Sequence, residues 1–413
     1  MRRIRTLALP GYVSAVTCVW VGVSVLYGVR WSAYITEPVA ALLPFVIVVV
    51  LGTVVGFTLL GGRLLSGRPD RLRLDRALSV GNRLTPLFRQ VFWVWIAIAV
   101  AEIALEGTPP LVRSLLGQNS DYLQFGVTSI HGLLLAMACA IALIEQAVRL
   151  NQGRQPIGPY TLVIVFWMIL IIGRKHLIIL AIQLVLLLLA RRVIRASFAH
   201  MIRWGAAILA LVFLFGFLGD FRSSAGVGIK EKLAYSGPDW VPDAFVWFYS
   251  YLVTPIANWQ NAYAHGYAGD APFPWKAFSG LLPSAFEGSS QVDVEGGTAY
   301  STAPWLLTSS FNISTGYIVP LVEAGLVGVF LFTVAISLFS ALLLARAKDM
   351  AGGLSFIVSY QCAVLMIFSN NFGNLNTVFQ IPILVLLGRW MIDSSRESVP
   401  HKLKGEAEPR YAP

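Results

Sequence analysis

Charge is what this sequence has least of. Asp, Glu, Lys and Arg make up 13% of its 413 residues, about half the roughly 25% of a soluble domain, which excludes a chain that meets water over its whole surface. Cysteine is nearly absent: Cys18, Cys139 and Cys362 all fall inside apolar runs, so no external disulfide framework is available and small apolar filler is their expected role. The five histidines, His131, His176, His200, His265 and His401, show no metal-ligand spacing. A P-loop, His-Glu-x-x-His, Cys-x-x-Cys and Gly-x-Ser-x-Gly are all missing, which removes nucleotide hydrolysis, zinc chemistry and a serine triad from consideration. Neither a metal nor a cofactor is expected. The first and last five apolar runs show no repeat, which argues against an inverted-repeat transporter.

Apolar runs are what the chain does have. Hydrophobic residues make up 56% and the mean hydropathy is +0.70. Ten runs approach the roughly 17 to 25 residues that cross a bilayer as a helix: 7–29, 36–60, 90–106, 124–147, 158–173, 177–190, 204–220, 316–344, 354–371 and 375–391. The expected fold is therefore all-α: one polytopic transmembrane domain over 1–413, about ten helices, and one large outer loop, 222–315, after the seventh. The start, Met1-Arg-Arg-Ile-Arg and an apolar run, has no small-residue cleavage pattern and reads as a retained first helix.

The net charge of +10 is one-sided. In the ten-span arrangement 23 of the 31 basic residues share a side with both termini, which the positive-inside rule makes the cytoplasm. The expected location is a membrane, multi-pass, with both termini cytoplasmic and no nucleic-acid partner. The basic stretch 61–89 is either a solvated topogenic loop or a segment resting on the anionic inner leaflet. Eight cations remain outside: Arg30, Arg113, Arg174, Lys175, Arg222, Lys230, Lys232 and Lys276.

Several charged residues fall at membrane depth on that outer side, where they must pair or bind something. Arg174 and Lys175, with His176, interrupt an apolar stretch and predict a tight hairpin whose tip either snorkels or clamps an anionic substrate. Asp220 and Arg222 follow the seventh span, as interface anchors or as a second anion ligand with its orienter. Glu102 and Glu106, four residues apart, share a helix face, in partnership with an outward Arg or as a general base. His131, placed two turns into the fourth span, is a proton relay or an interhelical hydrogen-bonding group.

In the outer loop, Asp243 to Thr254 reads as an amphipathic helix on the interface that Pro255 ends or kinks. Phe245, Phe248 and Leu252 share one face and Trp247 and Tyr251 the next, which suits either a groove open to the bilayer or packing on the span ends. Gly288 to Tyr300 is polar and glycine-containing, a lid or a surface connection.

The layout of ten spans with one dominant outer loop after the seventh resembles the bacterial oligosaccharide repeat unit polymerases, the Wzy-type O-antigen and capsule polymerases. Short stretches carry the likeness: Glu106-Gly-Thr-Pro-Pro-Leu, Tyr122 to Gly132, Ile172-Gly-Arg174, Trp247 to Pro255, and Phe311 to Gly328. The resemblance implies transfer of a growing glycan from undecaprenyl diphosphate to the terminal sugar of another lipid-linked repeat unit at the outer membrane face. It implies as partners that lipid-linked oligosaccharide, membrane lipid, a chain-length regulator and a flippase. Arg174, Lys175 and Arg222 would then bind the diphosphate, and the base would come from Glu102, Glu106, His131 or Asp220. An O-antigen ligase-like glycosyltransferase, or a polysaccharide or lipid transporter, is the alternative.

Overall fold

Backbone N–H and C=O groups in hydrocarbon have no water to bond, so an apolar chain crossing a bilayer closes its hydrogen bonds within helices. The computed structural model describes residues 9–60, 68–116, 125–127, 129–192, 228–281, 303–308 and 313–393, with isolated positions between 202 and 219. The helices are α1 (Tyr12–Gly28), α2 (Leu43–Thr58), α3 (Arg68–Leu78), α4 (Pro86–Glu106), α5 (Pro110–Leu115), α6 (Ile130–Asn151), α7 (Pro159–Leu170), α8 (Arg174–Ala190), α9 (Ile229–Lys232), α10 (Asp243–Ala264), α11 (Ile318–Arg346), α12 (Met350–Val364) and α13 (Leu375–Met391). Among the described residues one strand pair joins β1 (Arg83–Leu84) to β2 (Ile392–Asp393).

Among the described residues, five helical stretches are long and apolar enough to cross a membrane: Val39–Thr58, Pro86–Glu106, Ile130–Asn151, Ile318–Arg346 and Met350–Ile367. Four more, α1, α7, α8 and α13, are apolar but shorter. The chain is an all-α membrane protein. Its surface agrees, since Leu43, Ile47, Leu51 and Val55 form an exposed stripe along α2 that suits lipid and not water.

Local chemistry sets the helix ends. Thr85 caps α4 by accepting from the Phe88 N–H, with Pro86 at the first position, and Gly107 (φ 83°) stops it. Asp349 caps α12 by accepting from the Gly352 N–H at 2.8 Å. Glu145 of α6, buried, accepts from both the backbone N–H and the hydroxyl of Thr161, at 2.6 and 2.7 Å, in the first turn of α7.

α6 and α12 are buried on nearly every face and form the centre. α2 lies against α11 through Gly52 and Gly56: a Cβ on Gly52 would stand 2.8 Å from Thr333 Cβ, and one on Gly56 2.9 Å from Ser337 Cβ. Both helices are therefore in contact through small residues four apart, a packing that brings backbones close. Trp20, Phe45, Trp259, Tyr317 and Phe332 tie α1, α2, α10 and α11 together, with Phe45 and Trp259 stacked at 3.9 Å.

Three expectations change. Pro255 does not end the helix: α10 runs unbroken for 22 residues. An interior proline costs about 3 kcal/mol, and tertiary packing of the C-terminal half offsets it. There Trp259 is fully buried, Asn258 bonds Ile313 O and Leu307 N, and Asn261 bonds Trp305 O. Before the proline, Val246, Tyr249, Ser250 and Val253 turn inward while Phe248 is exposed and Phe245, Trp247, Tyr251 and Leu252 are half-buried.

The second change is in the eighth run. α11 breaks at Ala324–Gly325, where Gly325 takes φ 61°, and its first turns receive the loop before them: Gly269 N donates to Leu321 O, Ala271 N to Glu323 O and Lys276 N to Glu323 Oε2. The third is Cys18, which is exposed, whereas Cys139 and Cys362 are core filler as expected. Gly288 to Tyr300 lies outside the described residues.

Candidate functional site

Two helices that run in opposite directions, α4 and α6, bring the end of one beside the start of the other. Trp95 of α4 donates its indole N–H to Leu134 O of α6 at 3.0 Å, which fixes their separation. One turn before the end of α4, Glu102 meets His131, the second residue of α6. His131 Nδ1 lies 3.0 Å from both Glu102 Oε1 and Oε2. The carboxylate is 1% exposed and the imidazole 23%.

His131 thus stands in the first turn of its helix and not two turns in, because α6 begins only at Ile130. The loop before it explains its position: Gly126 has φ 107°, and a Cβ there would stand 2.5 Å from His131 Cγ and Nδ1. Only glycine satisfies both constraints. Phe125 and Trp167 flank the ring, each with centroids 6.0 Å away.

With Glu102 ionised, Nδ1 is the donor, which leaves Nε2 as the ring nitrogen carrying the lone pair. The carboxylate holds the imidazole's tautomer and orientation and would stabilise an imidazolium. Such a pair can take a proton from a hydroxyl placed against Nε2.

Among the described side chains, the expected partnership of these glutamates with an outward arginine is not seen. Glu102 pairs with His131, and Arg113 Nη2 instead donates to the backbone carbonyl of Glu106 at 2.9 Å. Glu106, the last residue of α4, is one turn beyond Glu102 and does not join the pair.

The hairpin between the fifth and sixth apolar runs exists. α7 ends at Leu170 and α8 starts at Arg174, and Gly173 N donates back to Met168 O at 2.7 Å across the turn. Arg174 and Lys175 therefore open α8. Trp167, near the end of α7, connects this turn to His131. Buried His176 lies near Lys175 and His131 and beside Asn376, in the first turn of α13. A Cβ on Gly132 of α6 would stand 3.7 Å from the Asn376 Cβ. Asp220 and Arg222 lie outside the described residues.

The structure thus gathers Glu102, His131, Lys175 and His176 with the start of α13. Sequence reasoning missed Asn376, although the polar run Ser369-Asn-Asn-Phe-Gly-Asn-Leu-Asn-Thr377 between two apolar runs was a visible signal. It also passed over Gln183, Gln361 and Gln380, fully buried, where Gln183 Nε2 donates to the other two at 3.1 and 2.8 Å. Gln183 is seven residues beyond His176 on α8 and Gln380 four beyond Asn376 on α13, so the three amides lie one to two turns deeper and join α8, α12 and α13 as interhelical glue.

The dyad is at the opposite end of the bundle from β1 and β2. The last residue of α6, Asn151, donates to Leu78 O and Gly81 O beside β1, whereas His131 opens the same helix. The described part of the segment 228–281 is at the dyad's end, because the loop that follows α1 bridges to it: Ser32 pairs with Tyr235, and Trp31 N donates to the Tyr249 hydroxyl at 3.0 Å. No protein-family model, no curated protein and no solved structure matches the chain.

Proposed function

We propose that this protein is a membrane glycosyltransferase that extends a polysaccharide, moving a growing glycan from undecaprenyl diphosphate onto the terminal sugar hydroxyl of a second lipid-linked repeat unit. The observation that carries the reading is the half-buried Glu102–His131 dyad at the same end of the bundle as the cationic start of α8. His131 Nε2 takes the acceptor hydroxyl proton as the oxygen bonds the anomeric carbon. The bond from that carbon to the diphosphate oxygen breaks, and the diphosphate leaves with the electron pair. Arg174, Lys175 and Arg222 are assigned to the departing charge, where such stabilisation is worth several kcal/mol. Diphosphate is a good leaving group, so the step as drawn routes nothing through a metal.

The arrangement proposed with it has ten spans, both termini in the cytoplasm, and 222–315 outside in a bacterial inner membrane. The split of basic residues supports it. A cysteine placed at Gly288 in a background lacking Cys18, Cys139 and Cys362 is expected to react with an impermeant maleimide added outside intact cells. Labelling only after the cytoplasm is opened would reverse the orientation.

Purified protein supplied with a lipid-linked repeat unit is expected to yield a ladder of products on a gel. Transfer of finished polymer to a lipid A core acceptor without a ladder would mean a ligase. Unchanged substrate with movement between leaflets would mean a transporter, and either result removes the polymerase reading.

A further inference from the structure

The other end of the bundle, where Arg73, Arg76, Arg191, Arg346 and Arg389 lie, carries a second surface. α3 packs there across the ends of α8 and α12. Leu74, Ala77 and Leu78 are buried, with Leu78 Cδ2 2.9 Å from where a Cβ on Gly353 would be. The opposite face of α3 is exposed and shows Leu72, Arg73 and Arg76. Arg73 reaches the Ala345 carbonyl at 3.5 Å, so this face adjoins the turn from α11 to α12, where Arg346 and Lys348 are also exposed.

Three of the described acids at this end are engaged elsewhere. Asp75 pairs with Arg191 at 2.7 Å, Asp349 pairs with Arg389 at 2.9 Å while capping α12, and Glu145 holds the start of α7. The surroundings are apolar. α2 and α11 run in the same direction, since Gly52 meets Thr333 and Gly56 meets Ser337, so the exposed Leu59 and Leu60 that follow α2 stand at the same end as Arg346. Cations therefore stand where the lipid-facing surface stops, with Leu72 exposed among them.

We propose that Arg73, Arg76, Arg346 and Lys348 form a binding site for the headgroup of an anionic phospholipid, with Leu72 of α3 set against its acyl chains. Charge complementarity selects an anion, and arginine forks suit phosphate oxygens. The apolar border selects a lipid over a soluble polyanion, which has no use for exposed leucines. Each cation near such a surface strengthens anionic-lipid binding about fivefold.

The test is native mass spectrometry of the full chain released from neutral detergent, with phosphatidylglycerol and phosphatidylcholine of identical acyl chains added in equal amounts. Phosphatidylglycerol is expected to be retained at least tenfold better. The triple variant Arg73→Gln, Arg76→Gln, Lys348→Gln is expected to lose about a hundredfold of that binding and Arg76→Gln alone about fivefold, whereas Lys230→Gln with Lys232→Gln, at the other end, changes nothing. Equal retention of the two lipids, undiminished binding by both the triple and the Arg76 variants, or displacement by millimolar glycerol phosphate would each overturn the proposal.

Discussion

His131→Ala is expected to lower the rate of chain extension by about 10² to 10⁴, the usual contribution of a positioned general base. Glu102→Gln should lose on the order of 10², because an amide can still orient the ring but cannot stabilise an imidazolium as a carboxylate does. The motive is the 3.0 Å contact of His131 Nδ1 with both carboxylate oxygens of a glutamate that is 1% exposed. His131→Ala also leaves that carboxylate buried without its partner, which by itself destabilises the fold. The double variant Glu102→Gln, His131→Gln removes the isolated charge and separates the two effects. It should elute from size-exclusion chromatography like the unmodified protein and still fail to extend chains. Initial rates on a lipid-linked repeat unit, normalised to folded protein, decide the matter. Rates within twofold of the unmodified enzyme for all three variants would mean that the dyad only joins α4 to α6.

The positions of the helices were legible because lipid imposes one condition on every span: a run of apolar residues long enough to close its own hydrogen bonds. Nine of the ten apolar runs coincide with α1, α2, α4, α6, α7, α8, α11, α12 and α13, and the remaining one holds helical positions between 202 and 219. The hairpin at Ile171-Ile172-Gly173 was legible for the complementary reason, since Arg174 and Lys175 end one apolar run and open the next. Local rules failed where tertiary contacts outweigh them. Pro255 reads as a stop or a kink, and the buried Trp259 and the bonds of Asn258 and Asn261 carry α10 past it.

Pairings were not legible in the same way. Glu102 and His131 were each singled out by their depth, yet a separation of 29 residues says nothing of contact until α4 and α6 are seen to pack through Trp95. Asn376 and the three core glutamines are uncharged, so a search for charges at membrane depth ran past them. Polar amides inside apolar runs are equally costly to leave unpaired in hydrocarbon, and Gln183, Gln361 and Gln380 could have been found by that criterion.

Gly56→Leu is expected to prevent the bundle from forming, and Gly56→Ala to destabilise it by about 1 to 3 kcal/mol. Gly52 and Gly56 bring α2 onto α11 so closely that a Cβ on Gly56 meets the Val334 carbonyl and stands 2.9 Å from Ser337 Cβ. The obstacle includes backbone, so it cannot be relieved by turning a flexible side chain. Between helices in lipid no hydrophobic drive holds the pair, since lipid tails are as apolar as leucine, and close van der Waals contact carries the association. Losing that contact therefore removes most of what holds α2 in place. Gly22 in α1 supplies the internal control, because a Cβ there meets nothing within 4 Å. Gly22→Ala should be neutral or slightly stabilising, as alanine is the better helix former by roughly 1 kcal/mol. Thermal unfolding of the purified variants in one detergent, followed by the fraction that stays monodisperse after heating, gives the comparison. If Gly56→Leu survives to the same temperature as Gly22→Leu, the two helices do not depend on this contact.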